Sequence, residues 1–120
     1  FKNKVFKHKQ LLKDLILNLN DMKKKVGGYG ASTKGNVILQ FCELNNNIIP
    51  YIVDVNPFKR NKFTPGTKIK IINDLDFKKK NPDYLLVLPW HFKNHILQKE
   101  NSFIKSGGHF IFPLPDIEIV

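Results

Sequence analysis

Between His8 and Met22 the apolar residues fall at Leu11, Leu12, Leu15, Ile16, Leu19 and Met22, with lysines and asparagines on the remaining positions. That stripe has helical spacing and predicts an amphipathic helix over 8–22. The pattern then changes. Residues 25–29, Lys-Val-Gly-Gly-Tyr, form a short buried strand followed by a glycine-rich loop, and Val37, Ile38, Phe41, Cys42 and Leu44 make a second helical stripe that Asn45–Asn47 stops. A second strand spans 48–54, with Pro50 at its start because proline has no N–H to give to a ladder. Residues 56–67 are a loop, 68–72 a shorter third strand, and 73–83 a helical turn capped by Asn73 or Asp74.

The nearly continuous apolar run at 84–90 (YLLVLPW) is what a strand covered on both faces needs. Phe92, Ile96 and Phe103 then recur at helical spacing over 91–105, and Gly107–Gly108 ends that helix. A fifth strand covers 109–115. Strand and helix alternate throughout, which implies right-handed crossovers and a parallel sheet between helix layers: an α/β fold. Phe41, Phe110, Phe112 and Cys42 are core candidates.

In such a sheet the first strand-to-helix turn is where backbone can approach a phosphate. Gly28, Gly30 and Gly35 stand there, in a G-x-G-x-x-x-x-G spacing two residues longer than the dinucleotide fingerprint. The spacing alone is weak, but it follows a strand, opens a helix, and is followed by an acid ending the next strand. That acid, Asp54, is placed to take ribose hydroxyls or, alternatively, to cap its own turn in "DVNP". Lys34 could neutralise a phosphate or simply be solvated; Ser32 and Thr33 are natural helix caps. Lys34 precedes Gly35, so no GK[ST] triplet exists and this is not a triphosphatase loop.

His91 and His95 are four apart, a metal-ligand spacing, yet no third ligand or intervening glutamate accompanies them. His91 instead stands with Trp90 at the end of the fourth strand, on the rim of the glycine loop, where Trp90 could stack on a base or sugar or serve as an interface or core residue. No Ser-His-Asp arrangement or paired catalytic carboxylates are visible.

Composition changes this picture little. The 120 residues are one domain's worth, 42% hydrophobic. No apolar run is long enough to span a bilayer. The single cysteine suggests a cytoplasmic setting. A net charge of +10 and a pI near 9.8 suggest nucleic acid. Against it, Arg60 is the only arginine among twenty basic residues, and arginine's fork is the usual reader of bases and phosphates. The runs Lys23–Lys25 and Lys78–Lys80 are read as solvated element boundaries. The chain starts at Phe1 and is expected to be part of something longer.

Five motifs, "GYGASTKGN", "YIVDVNPFK", "FTPGT", "DYLLVLPWHF" and "GGHFIFPLP", together resemble the carboxyl-terminal domain of S-adenosylmethionine-dependent sugar C-methyltransferases, from about Lys25 to Val120. The resemblance implies a Rossmann-like three-layer sandwich, with a mainly parallel sheet of about five strands and helices on both faces. It divides the chain into a lead-in helix (1–22) from a preceding methyltransferase domain and the Rossmann-like domain proper (23–120).

It also implies a parent enzyme with zinc in an amino-terminal domain and S-adenosylmethionine in a central one, neither cofactor being expected in this domain. The substrate would be a nucleotide-linked keto-deoxysugar, such as a thymidine diphosphate sugar. This domain would hold the diphosphate end through Gly28, Gly30, Ser32, Thr33 and Lys34. Asp54, Asn56 and Lys59 would lie near the nucleoside, and Trp90 and His91 on the same rim facing ligand or partner domain. No catalytic residue is expected here. Rival readings make the chain itself the S-adenosylmethionine binder, an NAD-dependent redox module, or a packing surface without a ligand.

Overall fold

The computed structural model describes residues 2–120, and their side chains except at 2–4, 75, 77 and 78. In chain order the elements are α1 (Lys2–Asp21), β1 (Val26–Tyr29), α2 (Thr33–Phe41), β2 (Tyr51–Val53), β3 (Lys70–Ile72), α3 (Asp74–Lys80), β4 (Tyr84–Val87), α4 (Lys93–Lys99), α5 (Asn101–Lys105), β5 (His109–Phe112) and β6 (Glu118–Ile119). The strands form one sheet in the order β3-β2-β1-β4-β5-β6. The first five are parallel; β6 pairs with β5 antiparallel, setting Ile111 opposite Ile119.

Alternation along each strand sends neighbouring residues to opposite faces, and the core divides accordingly. One face carries Val26, Ile52, Leu86 and Ile111, packed with Leu12, Ile16 and Leu19 of α1 and Leu39 of α2. The other carries Tyr29, Leu85, Val87, Phe110 and Phe112 against Ile96 of α4 and Phe103 of α5. The α/β sandwich read from the sequence is therefore present, with α1 contributing to the same core as α2. Cys42, Phe110 and Phe112 are buried as expected.

Several details depart from the sequence reading. The antiparallel β6 adds a sixth strand. Helix and strand do not alternate between β2 and β3: turns carry the chain there, with Asn61, Gly66 and Lys68 at positive φ and Phe63 bridging back to Lys70. The helix expected over 91–105 is three pieces: a 3-10 turn at Trp90–Phe92, then α4 and α5. Its break falls at Glu100, whose carboxylate accepts the Tyr29 hydroxyl at 2.6 Å. Asn73, not Asp74, caps α3, accepting from the Asp76 N–H.

Met22, Val37, Phe41 and Phe92, placed on apolar stripes, are exposed instead. A helix lying on a sheet buries a narrower strip than its apolar residues occupy. Phe41 is left to stack on Phe6 beside Lys9.

Candidate functional site

The chain leaves β1 for β2 and β3, then returns to the other side of β1 as β4. The helices after β1 and β4 consequently lie on opposite faces, and the crevice between their loops is where open α/β sheets bind ligands. Two cavities flank the loop after β1. One, of about 320 Å³, lies on the α2 side among Asn36, Leu39, Lys62, Phe63, Thr64 and Leu88. The other, of about 310 Å³, lies on the α4 side among Tyr29, Asp54, Pro89, Phe92, His95 and Lys99. Ala31, Ser32 and Lys59 line both and form the partition between them.

The glycines close this crevice up. At φ +82°, Gly30 sits in the left-handed region, and a Cβ there would lie 2.6 Å from the Pro89 ring. A Cβ on Gly35 would lie 2.3 Å from that of Leu88, so α2 starts almost on top of the loop after β4. Gly28 is inside β1, where Ile52 takes the space a side chain would need. These glycines thus serve loop-on-loop and strand-on-strand contact. Unengaged backbone donors are one step further on. Ser32 caps α2 by accepting from the Gly35 N–H, while no hydrogen bond among the described residues engages the backbone N–H of Thr33 or Lys34. Free N–H groups at a helix start favour an anion.

Asp54 does two jobs at once. Its Oδ1 accepts the Asn56 N–H, capping the turn after β2, and its Oδ2 accepts the Ala31 N–H across the crevice, both at 2.8 Å. Lys59 completes the tie: its ammonium donates to the Ala31 carbonyl at 2.5 Å and stands 3.7 Å from Asp54. Asn56 turns the chain once more by accepting from the Phe58 N–H.

Of the residues singled out from sequence, the cavities bring together Gly30, Ser32, Thr33, Asp54 and Lys59. Gly28, Lys34, Asn56, Trp90 and His91 line neither cavity. Lys34 is exposed on the first turn of α2, and His91 is exposed against the Trp90 and Phe92 rings. Trp90 is partly buried, with its Nε1 enclosed and without a hydrogen-bond partner. Among the described residues no group of three or more His, Cys, Asp or Glu is placed to hold a metal ion.

Sequence reasoning did not single out Asn36, whose Oδ1 is buried without a partner, or Lys62, Phe63 and Lys99, and it weighed His95 only as a metal ligand. Phe63 opens the "FTPGT" motif and Lys62 directly precedes it, and that position was the available signal. Tyr29 was read only as a strand residue. Burial, reinforced by its bond to Glu100, pushes its phenol well above the ordinary tyrosine value, so it remains an O–H donor. Burial also raises the Cys42 thiol, consistent with a core residue.

With this geometry the comparison with known proteins is specific. The model of the C-methyltransferase C-terminal domain matches residues 1–115. The chain belongs to that family. It is also 33% identical, over 109 residues, to the C-methyltransferase NovU of Streptomyces niveus. The aligned stretch covers 91% of this chain and 26% of that protein, so the domain corresponds to about a quarter of its relative's length. No described helix of this C-methyltransferase C-terminal domain is long and apolar enough to cross a membrane.

Proposed function

We propose that this domain holds the nucleotide diphosphate end of a keto-deoxysugar, for a C-methyltransferase whose methyl donor binds in another domain. The observation that carries the reading is the partition of Ala31, Ser32 and Lys59 between two cavities, next to free N–H groups of Thr33 and Lys34. A diphosphate crossing that partition meets a lysine ammonium and the positive end of α2, with Lys62 and Lys99 at either side. The nucleoside and sugar then occupy one cavity each.

Asp54 favours this over a domain that binds S-adenosylmethionine or NAD. Its oxygens accept backbone N–H groups and its side chain is only 9% exposed, so it holds the loop and offers little surface to a ribose diol. In the parent enzyme S-adenosylmethionine supplies the methyl group. This domain contributes binding and orientation, which lower the barrier by fixing the sugar's reacting carbon relative to the partner domain.

The test is an amide-resolved NMR titration of the domain with thymidine diphosphate and, separately, S-adenosylhomocysteine. Thymidine diphosphate should shift Gly30–Asn36 and Asp54–Lys62 with a Kd on the order of 0.1–1 mM. Shifts at those amides with S-adenosylhomocysteine instead would make this the methyl-donor domain and overturn the assignment.

A further inference from the structure

Lysines from two runs far apart in sequence meet at the end of the sheet opposite the glycine loop. Lys24 and Lys25 precede β1, and Lys80 ends α3; all three are exposed and line one cavity of about 450 Å³. Asn20, Asn47 and Tyr51 complete its polar surface, and among the described residues no carboxylate lines it. Among the described residues none of these three lysines has an ion-pair partner. The Lys80 ammonium lies 5.7 Å from the centre of the Tyr51 ring. Tyr51 is 8% exposed, and its hydroxyl is enclosed without a hydrogen-bond partner. Asp83 accepts the Lys25 backbone N–H at 2.8 Å, and no ion pair among the described residues engages that residue's ammonium.

We propose that this cavity is a second anion site, taking a small polyphosphate group, and that it is separate from the crevice at the carboxyl ends of the strands. Three cations sharing one cavity repel one another, and in a stable domain a multivalent anion offsets that repulsion. Binding there does not compete with the proposed sugar-nucleotide site, because the two lie at opposite ends of the parallel strands: residues 24–26 enter β1, and residues 30–34 leave it.

The experiment is an amide-resolved titration of the 120-residue domain with sodium tripolyphosphate at about 150 mM chloride, where long-range attraction is screened. Saturable shifts are expected at Lys24–Val26, Asn47 and Lys80, and not at Gly30–Lys34. Replacing three exposed residues together (K24Q, K25Q and K80Q) should weaken binding by about ten-fold, or about 1.4 kcal/mol. The charge-matched control K7Q, K70Q and K105Q should change it less than about two-fold. Equal weakening by both sets, an equal response to citrate, or shifts confined to Gly30–Lys34 would each overturn the proposal.

Discussion

Gly35 shows how a single residue is constrained by its neighbours and not by its element. Alanine is favoured over glycine in a helix by about 1 kcal/mol. Yet Gly35→Ala should destabilise the domain by about 1–3 kcal/mol, because its Cβ would collide with Leu88 in an already filled contact. Chemical denaturation of the two proteins measures this directly. Lys59→Met tests the partition: the nonpolar stem remains, but the tie to Ala31 and the charge facing the diphosphate are lost. Thymidine diphosphate should bind about ten-fold more weakly to that variant.

Tyr51 gives a pH prediction. Burial, and then the Asp83 carboxylate, push its phenol up to about 12 from 10.0. The unfolded chain therefore loses this proton first, and stability falls as pH rises from 10 through 12. Tyr51→Phe should flatten that fall, read as the unfolding midpoint against pH. Near neutrality it should be harmless, since the hydroxyl it removes is buried without a partner.

At the scale of elements, α1 is the informative case. Its pattern of apolar positions was visible in the sequence, but only the fold shows that Leu12, Ile16 and Leu19 join the core formed by β1, β4 and α2. Ile16→Ala should accordingly cost about 2–5 kcal/mol by equilibrium unfolding, the range for opening a cavity at a fully buried position. The segment between β2 and β3 was legible as a loop from its prolines and glycine, though its fold back onto Lys70 was not. The β6 strand was invisible because two exposed residues carry no periodicity. Helix 91–105 looked continuous because nothing local marks Glu100 as a break; the bond from Tyr29 is made by a residue far away in sequence.

At the scale of the whole molecule, charge dominates. With a net charge of +10, much of it unpaired lysine, the native state carries self-repulsion that salt relieves. Raising sodium chloride from about 20 to 200 mM should increase the thermal midpoint, as the screening length falls from above 20 Å to about 7 Å.

The sequence by itself determined the α/β class, the succession of five strands along the chain, the glycine turn after β1, a helix cap at Ser32 or Thr33 and the family, because each rests on local pattern or on contiguous motifs. The tertiary structure decided what those residues touch. It turned the glycines to closing β1 and its turn onto β2 and the β4 loop, engaged both oxygens of Asp54 internally, and set Lys59 between two cavities. It also gathered Lys24, Lys25 and Lys80 around one hollow. The reason is the same in every case. Spacing along a chain records which face a residue occupies, whereas the partner on that face is chosen by strand order, which brings together residues tens of positions apart.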